Sequence, residues 1–376
     1  MTRLGIFGGG QLAQMLTQAA ISLGVETVIF ERSADSPAGR LTRAELVGAW
    51  EDAALLAAFA QQSDLITLEN EFVDAALLAH LEVQGMPVFP SSATLALVQD
   101  KLLQKECLCA AGLRVPTFRR VDTPEAVQTA AQELGFPLLL KARRNGYDGY
   151  GNVTLRSPDD IAPAWERLTR GGSPLLVEAF VPFVRELAVM VVRGRDGDTR
   201  AYPVVETVQH HHICHIVRAP AAISADEAAE ATALAVAAVE AVQGVGIFGV
   251  ELFALADGHM LVNELAPRPH NSGHYTIEAC VASQFENHLR AVLGWPLAPT
   301  ALRTPAAVMV NLLGRRNGSV GRDALRAALT IPGAHIHLYG KREARVGRKM
   351  GHITVLGASL AEAEALALQA ADLVDV

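Results

Sequence analysis

The residues best suited to chemistry fall into a few groups along the chain. Gly8-Gly9-Gly10-Gln11-Leu12-Ala13 has GxGxxA spacing between a strand-like and a helical run, and Glu31 ends the next strand-like run. Backbone amides at such a turn, backed by a helix N-terminus, suit a phosphate group. Alone, the pattern fits a nicotinamide-binding turn as well as a tight strand–helix junction that holds another anion or none. Further on, Lys141 ends an apolar run and Asn145-Gly146-Tyr147-Asp148-Gly149-Tyr150-Gly151 follows. Glycines at this density let amides fold over phosphate oxygens beside a compact cation. The spacing is not that of a P-loop, and an ordinary hairpin loop is the plain alternative.

Glu251 and Glu264 carry more information. If Asp257-Gly258 forms a two-residue hairpin turn, the two carboxylates fall opposite each other, flanked by Phe253, Leu255, Val262 and Met260. Opposed carboxylates on a sheet repel by up to about 1 kcal/mol unless a cation lies between them. Magnesium bridging nucleotide phosphates is the natural occupant, because it takes few carboxylates plus phosphate oxygens. A one-residue slip of the turn would break the pairing, and two solvated glutamates on an exposed face are the alternative.

Three polar clusters complete the inventory. His210, His211, His212 and His215 invite a transition-metal reading, but no carboxylate or cysteine spacing completes a site, so an exposed strand end or loop is expected. Arg268-Pro269-His270-Asn271-Ser272-Gly273-His274 follows the hairpin and suits a ligand-lining loop. Lys341, Arg342, Arg345, Arg348 and Lys349, interleaved with Gly347 and Gly351, stand out in a chain of net charge −8. A phosphate-recognising loop is expected there over a solvated surface run.

The elements that must position these groups are legible in outline. Half of the 376 residues are apolar and 19% are charged, as in a compact enzyme with more than one core. The acidic balance argues against nucleic acid as partner. No apolar run reaches the length of a membrane span, and the N-terminus runs straight into Leu4-Gly5-Ile6-Phe7, so no membrane partner and a cytoplasmic location are expected. None of the four cysteines forms a CxxC pair. Strands are predicted at 4–7, 27–31, 65–68 and 88–89, with helices at 11–23 and 53–61, as in a parallel α/β unit. Short helices open near Ser92 and Gln99. Helix 123–134, strand 137–142, the glycine loop, strand 153–156, helix 159–169 and strand 175–180 form a small α+β unit. Segments 186–192 and 200–208 read as a hairpin, followed by a helix over 224–242, the carboxylate hairpin at 246–265 and a small third domain.

Several of these segments resemble N5-carboxyaminoimidazole ribonucleotide synthetases of the ATP-grasp superfamily. They are GGGQLAQM at 8–15, TLENEFV at 67–73, KARRNGYDGYGN at 141–152, EAFV at 178–181, VNELAPRPHNSGHYT at 262–276 and GKREARVGRKMGH at 340–352. The segments run in the family's order from the first strand to near the C-terminus. The 262–274 and 347–352 stretches are specific to this family, whereas the glycine loop and paired glutamates are common to ATP-grasp enzymes.

The resemblance implies a fold class of α/β and α+β. A Rossmann-like domain would cover 1–98, an ATP-grasp domain 99–297 with a lid at about 115–180, and a small C-terminal domain 298–376. It implies a ligase that joins aminoimidazole ribonucleotide and bicarbonate using ATP and Mg2+, through carboxyphosphate, in purine biosynthesis, and a homodimer. The ATP would meet Lys101, Lys141, the loop Gly146, Tyr147, Asp148, Gly149, Tyr150, Gly151 and Asn152, then Glu178, Ala179, Phe180, Val181, Glu186, Gln209, Asn263 and Glu264. Glu251 and Glu264 would hold the metal. Gly10, Gln11, Glu71, Tyr147, Asp148, Arg268, His270, Asn271, Lys341, Arg345 and Arg348 would surround the ribonucleotide, with Glu69 close by. Tyr147, Asp148, Arg268 and Lys341 would stand at the carboxylation centre.

Four positions depart from the family pattern. Tyr150 stands where Arg or Lys is usual, Asn152 replaces Gln, Lys101 replaces Arg, and Gln209 lies where a nucleotide-contacting His is expected. Arg143 and Arg144 are the nearest cations that could make up for Tyr150. Another ATP-grasp ligase, such as a formate-using ribonucleotide transformylase or a biotin carboxylase, is the second reading. A nicotinamide-binding module is the third.

Overall fold

A computed structural model describes residues 2–146, 151–170, 172–210, 213–320, 323 and 325–376. The N-terminal sheet is parallel, in the order Ala44–Val47, Glu26–Glu31, Arg3–Phe7, Leu65–Leu68. Its inner strands are buried on both faces, so they read as continuous apolar runs rather than alternating ones. Leu4, Ile6 and Ile29 face helix Gln11–Ser22. Phe7, Phe30 and Phe59 pack on the other face with Trp50, and the rings of Phe7 and Phe59 meet edge to face at 4.9 Å. The predicted strand at 88–89 is reduced to one parallel bridge, Ile66↔Val88. Two elements escape sequence reading. The edge strand Ala44–Val47 is only half-buried, and helix Ala75–Val83 has no polar stripe to give it periodicity; Asp74 starts it by capping Ala76 N–H.

The α+β unit is an antiparallel sheet, Phe118–Val121, Leu175–Ala179, Leu138–Ala142, Asn152–Leu155, covered by helices Pro124–Leu134 and Ile161–Thr169. Thr123 caps the first helix, which explains its sharp start.

A larger sheet carries the rest. Its path runs Met260–Ala266, Gly246–Leu255, Phe183–Arg193, Val205–His210, Ile213–Ala219, Ala306–Leu313, Lys349–Gly357, Ala334–Leu338. The C-terminal strands therefore continue the central sheet, through pairs such as Ile216↔Val310. The predicted strand 200–208 is broken: Thr199–Ala201 pairs with Val191–Arg193, and the ladder resumes at Val205↔Ala188 with its register shifted by one. Pro203, with no amide to donate, lies in the break. Helix Ala225–Ala241, opened by a Ser224–Glu227 capping box, packs Ala231, Ala235, Ala238 and Val239 on one face of this sheet. Helix Gln284–Leu293 lies buried between the central and N-terminal sheets. Among the described residues, no helix is long and apolar enough to cross a membrane, and all four cysteines are free.

Close packing makes one small residue informative. A Cβ on Gly5 would lie 2.5 Å from Ser63 Oγ and 2.8 Å from Phe59 Cζ. Gly5→Ala should therefore cost about 1–3 kcal/mol of stability through overpacking, measured by urea denaturation; an unchanged midpoint would show that the aromatic cluster yields freely.

Candidate active site

The hairpin from Gly246–Leu255 to Met260–Ala266 brings Glu251 and Glu264 together by a route the sequence did not predict. Leu255 N–H donates to His259 O at 2.8 Å, so the loop has three residues, Ala256-Asp257-Gly258, with Gly258 at φ +84°. Near the loop the pairs are Ala254↔Met260, Phe253↔Leu261 and Leu252↔Val262, one residue out of the expected register. A bulge at Asn263 then absorbs the extra residue, and Glu251↔Glu264 and Val250↔Leu265 pair as expected. The change of register corrects the flanks. Val262 and Met260, expected beside the carboxylates, are fully buried with Val250 and Leu252 on the opposite face. Phe253 shares the carboxylates' face and stacks on Phe183 at 4.6 Å.

The electrostatics drive the two carboxyls in opposite directions. Burial, then the charge of Glu264, pushes the Glu251 carboxyl well up. Glu264 is held low: burial opposes its ionisation, but the Lys101 ammonium in contact with it outweighs that. Asn263 Nδ2 donates to Glu251 Oε2 at 3.2 Å, and His270 Nε2 lies 3.6 Å from Glu251 Oε1. Two neighbouring carboxyls driven apart in this way are suited to a divalent cation, which would ionise both. Among the described residues no three His, Cys, Asp or Glu side chains gather as a metal cage, so phosphate oxygens would have to complete the coordination.

Behind the pair lies a charged cluster that sequence reasoning found only in part. Lys141 Nζ donates to Glu178 Oε2 at 2.7 Å, and Lys105 Nζ lies 3.2 Å from Glu178 Oε1. Glu178 is 1% exposed, so its carboxylate answers two lysines rather than lining an open pocket. Burial, then the Lys141 charge, lowers the Lys105 ammonium to about 8. Lys105 was missed, although its i, i+4 spacing from Lys101 on one helix would have placed both on one face. Asp100 caps that helix and accepts from Arg143 Nε at 2.8 Å and Nη2 at 2.6 Å, so Arg143 is committed there.

A cavity of about 900 Å³ opens in front of the carboxylates. It brings together Gln11, Glu71, Lys101, Gly146, Glu251 and Glu264 with Arg268, His270, Asn271, Lys341, Arg345 and Arg348. Glu69, Arg144, Tyr339 and Lys349 also line it. Its wall leaves out Lys141, Gly151, Asn152, Glu178, Ala179, Phe180, Val181, Glu186 and Asn263. Gln209 is exposed on a strand end opposite Cys214, likewise away from this wall. Tyr147, Asp148, Gly149 and Tyr150 lie outside the described residues, as do His211 and His212. The rings of His210 and His215 are 5.9 Å apart.

The glycine turn requires a correction. Its amides are already taken: Gly9 N–H donates to Glu31 Oε2 at 2.7 Å, and Gly10 and Ala13 N–H donate to Glu69 at 2.8 and 3.0 Å. A Cβ on Gly10 would lie 2.6 Å from Glu69 Oε1, and one on Gly9 2.2 Å from Ser36 Oγ. The glycines thus make room for the protein's own side chains. Gly10 has no free amide for a ligand phosphate, and the dinucleotide cradle is filled.

The remaining wall is built of matched partners. Arg268 forks onto Glu71, with Nη2 2.8 Å from Oε1. That cation outweighs burial and holds Glu71 below the usual carboxylate range. Burial, then Arg268, lowers His270 to about 3, so its imidazole is neutral. A Cβ on Gly249 would lie 2.5 Å from His270 Cβ, which is why this strand position has no side chain. Asn271 exchanges amide hydrogen bonds with buried Asn311 at 3.0 and 2.5 Å, a tie that no local signal announces. Also in the lining, Lys341 Nζ donates to Lys349 O at 2.7 Å, and burial, then Arg348, lowers it to about 8. Arg342 points away, paired with Asp35.

Comparison with known proteins agrees with this geometry. Residues 1–99 match the ribonucleotide synthetase preATP-grasp domain, 106–285 the ATP-grasp domain, and 307–366 the phosphoribosylaminoimidazole carboxylase C-terminal domain. The N5-carboxyaminoimidazole ribonucleotide synthase of Synechococcus elongatus is 44% identical over 94% of this chain and 89% of its own. The chloroplastic phosphoribosylaminoimidazole carboxylase of Vigna aconitifolia is 40% identical over 96% of this chain, which spans 65% of that protein's length. An ADP complex of N5-carboxyaminoimidazole ribonucleotide synthetase superposes with a TM-score of 0.91 at 37% identity, covering 98% of this chain and 96% of that one. The Aspergillus clavatus N5-carboxyaminoimidazole synthase with ADP and 5-aminoimidazole ribonucleotide superposes at 0.90 and 37%, covering 99% and 98%. Identity and fold agree over nearly the whole chain, and it belongs to the N5-carboxyaminoimidazole ribonucleotide synthetase family of ATP-grasp enzymes.

Proposed function

We infer that the chain joins bicarbonate to the exocyclic amine of 5-aminoimidazole ribonucleotide, converting ATP to ADP and phosphate. The observation that carries this reading is that one cavity is lined both by the Glu251–Glu264 pair and by a basic group, Lys341, Arg345 and Arg348. It therefore offers carboxylates for a metal-bound triphosphate and cations for a substrate phosphate.

Bicarbonate is a poor electrophile. Attack of its oxygen on the γ-phosphorus releases ADP and gives carboxyphosphate, whose breakdown yields phosphate and carbon dioxide; the amine nitrogen then bonds to that carbon and loses a proton. The protein's part is charge neutralisation, positioning and exclusion of water. Magnesium, held by Glu251 and Glu264, would neutralise phosphate charge and orient the triphosphate. Lys101 lies beside Glu264 on the same wall, within reach of the phosphates. Arg268, fixed by Glu71, presents a rigid cation to the reacting carboxylate, and neutral His270 borders the same space. Lys341, Arg345 and Arg348 would take the ribonucleotide's phosphate. Glu178, Val181 and Glu186 are assigned to the nucleoside side, and Tyr147 and Asp148 to the carboxylation centre, by resemblance. So are a homodimer, a cytoplasmic location, and domain limits at 98/99 and 297/298.

The direct test is ADP release in bicarbonate buffer. It should rise on adding aminoimidazole ribonucleotide and stay flat with formate plus glycinamide ribonucleotide or with biotin; stimulation by either of the latter would move the chain to another ATP-grasp reaction. Glu264→Gln should lower kcat by about 10²–10³-fold, the scale of losing one charge-stabilising group, with the circular dichroism spectrum unchanged. Full activity in that variant would remove the metal assignment. Lys341 carries its charge below about 8 and loses it above. The kcat/KM for the ribonucleotide should therefore fall as pH rises through that value, and Lys341→Arg, which stays charged, should abolish the decline. A decline that persists in Lys341→Arg would assign it to another group.

A further inference from the structure

Strand Met260–Ala266 is the last in its sheet, so among the described residues its outer edge has no strand partner. Helix Lys101–Ala110 and the chain after it supply one. Gln104 and Lys105, each 2% exposed, carry most of the load. Gln104 Oε1 accepts from Leu265 N–H at 3.0 Å, and its Nε2 donates to Leu265 O at 3.3 Å and to Val98 O at 3.1 Å. This side-chain amide therefore pairs with Leu265 as a neighbouring peptide would. Lys105 Nζ donates to Asn263 O at 3.2 Å, and Arg114 O accepts from Val262 N–H at 2.8 Å. The peptide groups on both sides of Glu264 are thus gripped from outside the sheet.

Such a grip matters because of the bulge. A strand with one extra residue has an alternative in which the ladder runs on regularly, and a one-residue slip turns every side chain to the other face. That slip would carry Glu264 into the apolar layer and bring Asn263 opposite Glu251. Packing alone does not call for a buried ammonium at 105, which costs desolvation that an aliphatic side chain would not. Glu178 takes part of that charge, with Lys105 Nζ 3.2 Å from its Oε1, but Lys141 already answers its other oxygen at 2.7 Å. What a lysine adds is a donor that reaches the bulge carbonyl.

We propose that Gln104 and Lys105 are positioning residues that lock the Asn263 bulge and so hold Glu264 opposite Glu251 for metal-bound nucleotide. The proposal rests on the metal reading of that pair given above. It is tested with the full chain by electron paramagnetic resonance of Mn2+, titrated with a non-hydrolysable ATP analogue present. Lys105→Met and Gln104→Leu should each weaken Mn2+ binding by about 10–100-fold, the usual effect of losing a group that orients a metal ligand. Lys105→Arg, which keeps a donor, should restore most of it, and the KM for the ribonucleotide should barely move. Mn2+ affinity equal to wild type in both variants would overturn the clamp, and so would an equal loss in ribonucleotide KM. Should Lys105→Met fail to fold, Gln104→Met gives the same readout without disturbing a charge. If the wild type and Glu264→Gln bind Mn2+ equally, the metal reading itself fails, a result distinct from failure of the clamp.

Discussion

Two carboxylates paired across one hairpin, which resist being charged together, set the terms for everything around them. Glu251 is driven up and Glu264 down, which in a low-dielectric wall is the signature of a pair awaiting positive charge. The surrounding side chains alternate in sign: Lys101 against Glu264, Lys105 and Lys141 against Glu178, Arg143 against Asp100. Each buried charge has an opposite partner, as burial requires. A triphosphate arriving with a divalent cation brings both signs at once, so it can enter this mosaic without leaving any of them unpaired.

The carboxylate hairpin and the strand that begins at Lys349 belong to a single continuous sheet, so the placement of Lys349 relative to the carboxylates is set by backbone ladders. The basic residues Lys341, Arg345 and Arg348 lie in the chain leading into that strand. The N-terminal sheet is tied to this continuous sheet through His288, which is fully buried. Its Nδ1 accepts from Ile247 N–H at 3.1 Å and its Nε2 meets Thr67 Oγ1 at 2.9 Å. Burial lowers this imidazole to about 3, so it bridges as a neutral donor and acceptor. Thr67 lies two residues before Glu69 and four before Glu71. The bridge therefore fixes the loop whose carboxylates reach the glycine turn and Arg268.

What the sequence revealed followed local signals, and what it hid was non-local. Helices with a polar stripe and doubly buried strands were legible because their causes lie within a dozen residues, whereas helix Ala75–Val83, capped by Asp74 but without such a stripe, was not. The Glu251–Glu264 pairing was also legible, although the premise of a two-residue turn was wrong. The three-residue loop moves the register by one, and the Asn263 bulge moves it back. The misplacement of Val262 and Met260 is the trace of that cancellation. The partners of the glycine turn, of Asn271 and of Lys105 come from Glu69, Asn311 and Glu178. Those residues are distant in the chain, and no spacing rule reaches them.

The glycine turn shows how one backbone motif can serve opposite ends. Its amides and helix N-terminus form an anion site, and here the anion is a glutamate of the same chain. Burial outweighs the amides of Ala13 and Gly10 and leaves Glu69 raised on balance, so the turn offsets part of the cost of burying this carboxyl. With that site filled from within, the cations that line the cavity are the side chains of Lys101, Arg144, Arg268, Lys341, Arg345, Arg348 and Lys349. Glu69 also bears on that wall, since its charge favours the protonated form of Lys341 against burial and Arg348. The N-terminal unit thus contributes carboxylates rather than amides to the site: Glu69 to order the turn and Glu71 to aim Arg268. Glycine spacing alone reports the turn and leaves its occupant open, and the structure fills it with Glu69.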